Sequence, residues 1–418
     1  MKSSLQHRRF LSHKLICIPT YDRPEGICDF VFQTANELAD QNVVIILALG
    51  ENWRGKSGWQ RWIHAIKQGQ KLLQIIATDQ RQTHAQPIYV GVFQFLPFQR
   101  FSLSKRLNLQ LNLFLFSLLL GRQRPSTQKV LWIFHPQESP VLPFFNHWHL
   151  HFDCVDWHTT MDDQARQKLE LQRRQLIRAA RSITVLTQPV LSRMKTLARV
   201  AVRQVPQGFD LQGFTNPTQV PQTVLRKLRN LRKSRRPLIG FFGGLNQRLD
   251  GKMLLEVVRL HPEWNFLFVG PRGKDQSVGQ SEVGEKRLDQ LLKESNVTWM
   301  QSLKRTQLLP LMKGCDVLII PYDLQWEFNV CCFPVKIMEY FFAQKPVVST
   351  SIPSLLDYKQ FIFFSDTSKQ FSKAIQKAVQ VKWSTEQQIR VRKIALDQTW
   401  KRKLDSVDEY LSEMLPSS

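Results

Sequence analysis

Residues 333–355 read FPVKIMEYFFAQKPVVSTSIPSL. Pro334 suits the first turn of a helix, where a missing N–H costs no intrahelical bond. Lys336 and Glu339 follow on one helical face, about 4.5 Å apart along the axis, and the run at 347–350 reads as a strand. Backbone N–H groups at such a start face outward with the positive end of the helix dipole, and Lys336 adds a full charge to that anion site. Glu339, about a turn deeper, is placed to accept hydrogen bonds from vicinal hydroxyls. A diphosphate joined to a ribose has that arrangement. The alternative is an intrahelical ion pair on a surface. Val335, Ile337, Met338, Phe341 and Phe342 cover most of the helix, which predicts burial and favours a ligand, because buried charges require partners.

The chain around this stretch alternates strand-like and helix-like segments. KLICIP and NVVIILAL read as buried strands around the helix CDFVFQTANELADQ. PIYVGVFQFLP and KVLWIFHP flank a helical stretch at 105–120. A charged helix at 162–181, the strand SITVLT and a helix at 189–199 complete the first half. Residues 221–237, PQTVLRKLRNLRKSRRP, carry seven basic residues and no acid between two prolines, and read as a solvated connector, either a linker or a surface helix. The alternation then restarts with PLIGFF, NFLFVG, VTWM and DVLIIP separated by helices. Two Rossmann-like α/β domains facing each other across a cleft follow, with ligands expected outside the carboxyl ends of both sheets.

Composition limits the partners. At 418 residues the chain exceeds one ordinary core. Its formal net charge of +24 attracts nucleic acid, an anionic membrane surface or phosphorylated small molecules. A nucleic-acid binder needs base-stacking aromatics or a docking motif, and the sequence has neither. The six cysteines show no CxxC spacing and read as reduced, buried thiols in a cytoplasmic protein. The apolar stretch at 107–120 is broken by Asn108, Gln110 and Asn112 and is too short to span a bilayer. NWRGKSGWQRWIHAIKQGQ places Trp59, Trp62, Ile63 and Ile66 on one helical face, a pattern that suits either packing on the sheet or an anionic lipid surface.

On these residues the chain resembles the retaining GT-B glycosyltransferases of family 4, also described as glycosyl transferases group 1. Their donor-binding segment Pro-x-Lys-x-x-Glu-Tyr-x-x-x-x-Lys-Pro-Val-Val is matched by Pro334, Lys336, Glu339, Tyr340, Lys345, Pro346, Val347 and Val348. Residues 237–271 resemble the family's glycine turn and following βα unit, VPQGFD at 205–210 its interdomain connector, with Gln207 in place of Asn, and ALDQTWKRKLDSVDEYL its last helix. The resemblance implies an acceptor domain at 1–205, a basic connector at 206–236, a donor domain at 237–385, and helices at 386–418 that cross back to the first domain.

It implies an enzyme that transfers a sugar, with retention, from a nucleotide-diphosphate sugar to a saccharide or lipid-linked acceptor in cell-surface polysaccharide or glycolipid assembly. Glu339 resembles the ribose ligand. Pro334, the amides of Val335 and Lys336, and the Lys336 ammonium resemble the diphosphate cradle. Gly243 and Gly244 resemble the backbone that approaches phosphate, although a tight turn alone would also call for Gly243. Residues 299–303 correspond to the loop that packs the base. Two departures from the pattern stand out. Cys331 stands where the family often has a second glutamate, with Glu327 nearby, and the family's Arg and Lys after the glycine turn fall on Gly244 and Asp250. Arg248, Lys252 or Arg272 would then neutralise the phosphates. No metal and no cofactor are expected, because cations and amides supply the charge. On the first domain His135, Asp156 and His158 follow strands and should face the cleft, and Pro24–Gly26 resembles the loop lining the acceptor side. The resemblance places the protein in the cytoplasm, peripheral to the inner face of the plasma membrane. A sugar-nucleotide epimerase or an inactive donor-binding scaffold is the competing expectation on the same fold.

Overall fold

Parallel strands whose two faces are both covered need uninterrupted apolar runs, and LICIPT, VVIILA and LIGFF are buried at every position. The computed structural model describes residues 10–21, 30–50, 86–91, 102–121, 128–160, 162–215, 219–273, 282–381 and 383–414. The tryptophan-bearing stretch at 52–70, Cys28 and Pro24–Gly26 lie outside the described residues.

The first half of the chain runs through β1 (Leu15–Thr20), α1 (Phe30–Ala39), β2 (Val43–Ala48), β3 (Ile88–Gly91), α2 (Ser102–Gly121) and β4 (Lys129–Ile133). A 3₁₀ segment (Pro136–Phe144), β5 (His149–Cys154), α3 (Asp163–Ala179), β6 (Ser182–Val185), α4 (Gln188–Leu197) and β7 (Val202–Gln204) follow. Its strands form one parallel sheet in the order β3-β2-β1-β4-β5-β6-β7.

Then come α5 (Leu211–Thr215), α6 (Gln222–Lys233), β8 (Leu238–Phe242), α7 (Gly251–Leu260), β9 (Asn265–Val269), α8 (Glu282–Leu291) and β10 (Val297–Met300). A 3₁₀ turn (Arg305–Gln307), α9 (Leu308–Gly314), β11 (Val317–Ile320), α10 (Glu327–Cys331), α11 (Lys336–Phe342), β12 (Val347–Ser349), β13 (Ile362–Phe364) and α12 (Ser368–Gln380) complete this half, before α13 (Thr385–Asp397) and α14 (Trp400–Met414). The second sheet is also parallel, in the order β10-β9-β8-β11-β12-β13. Counted from its own first strand this is the 3-2-1-4-5-6 winding of a Rossmann domain.

The basic stretch at 221–237 forms a surface helix, α6, with no buried residue. Half-buried Val224, Leu225, Leu228 and Leu231 rest on the second core, and Leu228 lies so close to Gly314 that a Cβ there would meet it at 2.9 Å. The amphipathic spacing of those four residues holds the stretch on the domain despite its charge.

The last helix returns to the first sheet. Leu404, Val407, Tyr410 and Leu411 of α14 join the core formed by Ile16, Ile18, Val44 and Trp132. The Tyr410 hydroxyl donates to Ala201 O (2.5 Å) and accepts from Ile183 N (3.3 Å). Lys403 reaches Asp153 at 2.8 Å, both almost wholly buried. The crossing is tight: a Cβ on Gly208 would lie 2.4 Å from the Trp400 ring, and Phe209 N donates to Gln398 O at 2.6 Å.

Candidate active site

Both sheets reverse their strand order at the centre, where crevices for ligands form. In the second sheet the reversal lies between β8 and β11. Strand β8 ends at Phe242 and is followed by Gly243, whose φ of +148° is open to glycine and strained for other residues. A Cβ there would stand 2.5 Å from the Nζ of Lys336. The missing side chain therefore makes room for the lysine. Gly270, at the end of β9, also has φ +148°, and its Cβ would collide with Gly243 O at 2.0 Å. Gly244 carries no such constraint, since its Cβ would meet only Asn246 Nδ2 at 3.2 Å.

Six of the seven residues of α11 are buried, from Ile337 to Phe342. The first helical bonds run from Ile337 N to Pro334 O (2.9 Å) and from Met338 N to Val335 O (3.0 Å). The amides of Val335 and Lys336 thus precede the hydrogen-bonded turn. The half-buried Lys336 side chain lies over the rings of Phe241 (4.2 Å) and Tyr322 (5.0 Å), and makes no ion pair or hydrogen bond among the described residues. Arg248 shares the Tyr322 ring at 4.6 Å and stacks on Phe328, also at 4.6 Å. It donates to Asn329 Oδ1 (3.0 Å) and Cys332 Sγ (3.3 Å). Burial pushes the Cys332 thiol up to about 11 although both cations pull the other way.

Glu339 is 7% exposed and does not pair with Lys336. Both of its bonds from Arg305, at 3.1 and 3.0 Å, fall on Oε1. Arg305 also lies 3.6 Å from Asp210, which accepts from Gln33 Nε2 at 3.2 Å. The burial of this carboxylate is therefore met within the chain and does not by itself require a ligand. Trp299 donates to Gly270 O at 3.0 Å, tying the loop after β10 to the glycine pair.

Arg272 stands apart. It is held by Glu285 Oε2 (2.5 Å), Asp289 Oδ1 (3.2 Å) and Leu245 O (3.0 Å), so its charge braces α8. Lys252 is an exposed residue of α7, and Asp250 caps that helix by accepting from Met253 N at 2.8 Å. Glu327 pairs with Arg193 of the first domain. Cys331 packs into the first-domain core, its carbonyl accepting from Thr187 Oγ1 at 2.8 Å. Of the positions that depart from the family pattern, Asp250 therefore caps a helix and Cys331 joins the domains.

In the first sheet the reversal lies between β1 and β4. His135 follows β4, and its N–H and that of Phe134 donate to buried Glu138 at 3.1 and 3.2 Å. His158 follows β5 with its ring 4.2 Å from that of His135 and 6.2 Å from that of Phe328. Its Nε2 is buried without a partner among the described residues. Burial first, then His135 and Arg173, hold its pKa well below the ordinary value, so the ring is neutral near pH 7. Asp156 sits half-buried at the same strand end. Phe328 thus touches Arg248 on one side and the histidine pair on the other, joining the two crevices. Tyr322, Phe328 and Arg305 had escaped the sequence reading. The first of these was within reach, because it follows the strand beside β8 at the reversal.

The two facing parallel sheets, with a cationic crevice at the second reversal and a final helix strapped to the first domain, define a GT-B protein. Residues 236–380 match the family described as Glycosyl transferases group 1. A putative teichuronic acid biosynthesis glycosyltransferase, TuaH, of Bacillus subtilis is 29% identical over 237 residues, 54% of this chain and 56% of that protein's length. Among solved structures, a sucrose-phosphate synthase from Thermosynechococcus elongatus superposes with TM-score 0.67 at 13% identity, covering 97% of this chain and 100% of that one. The Anabaena protein HepE, solved with UDP and glucose, gives TM-score 0.61 at 14% identity, covering 96% of this chain and 99% of that one.

Proposed function

We propose that the chain transfers a sugar from a nucleotide-diphosphate sugar, with retention, to a saccharide or lipid-linked acceptor in cell-surface polysaccharide or glycolipid assembly. The observation that carries this reading is the Lys336 ammonium, half-buried on aromatic rings above Gly243 with no anionic partner among the described residues. The family domain and the likeness to a putative teichuronic acid biosynthesis glycosyltransferase support it.

The departing nucleoside diphosphate gains negative charge in the transition state, and preorganised cations and amides stabilise it. Lys336, Arg248 and the amides of Val335 and Lys336 take that role, with Pro334 starting the turn, Gly243 making room for the Lys336 ammonium and Gly244 leaving room for the phosphates. The charge is then met without a divalent ion. Glu339 keeps Oε1 on Arg305 and offers Oε2 to the ribose. His158 meets a sugar or acceptor hydroxyl with its unpartnered Nε2, and His135 and Asp156 line the same wall. In retaining transfer the departing phosphate itself takes the acceptor proton, so no separate base is required. Uridine donors come first, because HepE is solved with UDP-glucose and with UDP. The reading includes cytoplasmic placement against the anionic inner face of the plasma membrane, supported by the charge of +24.

Thermal-shift screening against UDP, GDP, ADP, CMP and dTDP compounds, followed by assay of free nucleoside diphosphate with and without acceptor extracts, tests the proposal. Stabilisation by one nucleotide series and acceptor-dependent release in EDTA are expected. Interconversion of the donor without acceptor would make the protein an epimerase. Binding without release would make it a scaffold.

A further inference from the structure

Helix α2 is built inside out. Its inward face carries Leu113, Phe116 and Leu120, but also Asn108 and Asn112, the latter 1% exposed and donating to Asn108 O at 2.7 Å. Its outward face carries Leu103 (67% exposed), Leu107, Leu111, Phe114 (50%), Leu115 and Leu118. At 100° per residue these six fall within about a third of the helix circumference, opposite the buried side, in a stripe roughly 22 Å long. A helix that met only water there would carry its asparagines outside and its leucines inside. Contiguous exposed apolar surface of this kind marks an interaction site.

Charge selects the occupant. Lys105 and Arg106 are exposed at the amino end of α2, the helix contains no acid, and Arg100, Arg122 and Arg124 flank it in sequence. A second copy carries the same net charge of +24 and is repelled, whereas an anionic surface is attracted. No described helix is long and apolar enough to cross a membrane. A helix that buries one apolar face, leaves a second apolar stripe outward, carries basic residues at its amino end and has too little hydropathy to span is suited to lie in the plane of a lipid surface. We propose that α2 is the membrane-docking element, its Leu103–Leu118 stripe seated at the acyl boundary of an anionic bilayer. This rests on the membrane-surface part of the function proposed above, and not on the donor site.

Flotation of the full chain with vesicles of phosphatidylcholine alone, and with about a third phosphatidylglycerol, tests it. Wild type is expected to float with the anionic vesicles, to release in high salt only in part, and to bind the neutral vesicles weakly. Phe114→Glu with Leu118→Glu is expected to reduce binding at least about tenfold, because two charges then enter the acyl boundary. The melting temperature and nucleotide-induced thermal shift should stay unchanged, both side chains being exposed. Lys105→Glu with Arg106→Glu should lose the preference for anionic lipid, and it serves if the first variant does not fold. Equal flotation of both variants and wild type overturns the proposal. So does a dimer in light scattering that the glutamates dissociate, or a Leu118→Cys thiol shielded from maleimide without vesicles, which would mean that another segment covers the face. Loss of the nucleotide shift with flotation intact would instead remove the transferase reading and leave this one standing.

Discussion

Lys336 and Lys403 sit near the centres of the two sheets and are treated in opposite ways. Lys403 is 3% exposed, ion-paired to Asp153 at 2.8 Å and donating to Gln207 at 3.1 Å. Behind that pair a chain of polar groups runs from Asp153 through Thr184 (2.9 Å), His151 (3.2 Å) and Ser182 (2.9 Å) to His149 (2.9 Å). Lys336 makes no ion pair or hydrogen bond among the described residues, and its ammonium lies beside Gly243 over the faces of Phe241 and Tyr322. Ring faces hold a cation in place without neutralising it. A closed network consumes its charges in structure, whereas a cation floored by aromatic rings keeps its field for an incoming anion.

The contrast breaks most readily at Lys403. Lys403→Met leaves Asp153 buried and unpaired, and is expected to destabilise the protein by about 3–5 kcal/mol. Adding Asp153→Asn should restore much of that loss in denaturant midpoints, while activity per folded molecule persists. Activity lost at full stability would show that this network serves the chemistry. Lys336→Ala is the mirror case, with kcat about 10²–10³-fold lower and an unchanged melting curve. Should it melt early and turn over normally, the lysine is structural.

Acid sharpens the same division. Burial lowers His149 to about 4 and His151 to about 3, against an ordinary value of 6.5 for each. Between pH 6.5 and about 4 the unfolded chain binds more protons than the folded one, so stability is complete above pH 6.5 and falls as pH drops. From pH 7 to 5.5 the two rings together should cost about 2.5 kcal/mol, read as falling denaturant midpoints, and His149→Gln should remove about half of that slope. A wild-type midpoint constant over that range would exclude a buried neutral pair. The smallest effect is expected at His158. Since its pKa lies well below 6.5, kcat/KM should not bend with this ring between pH 6.5 and 8. His158→Gln should lower kcat/KM about fivefold, within the range of one lost neutral hydrogen bond. A hundredfold fall, or a bend near pH 7 that the variant removes, would make the ring an acid–base group.

Much of the fold was legible because its signals are local. Apolar runs of five or six residues mark β1, β2, β8 and β9, and the segment from Pro334 to Val348 shows its helix, lysine and following strand within fifteen residues. The donor-side candidates split once their neighbours were placed. Lys336 and Arg248 meet at Tyr322, while Arg272 turns to Glu285 and Asp289 on α8, a pairing that nothing in the spacing distinguishes from a phosphate contact. Burial of Glu339 followed from its apolar flanks, yet its partner Arg305 lies in another loop and was not legible. The stripe on α2 was visible as leucines, but the outward turn of six of its apolar residues was not.

By itself the sequence determined two parallel α/β units, the register of the helix at 336–342 and the excess of positive charge, because periodicity and composition act over a few residues or over the whole chain. Only the tertiary structure decided which charges are answered and which are left open. Asp153 and Lys403 meet across 250 positions, and Arg248 and Lys336 share a ring supplied by a third segment, so each outcome depends on which strand ends the sheet winding brings together.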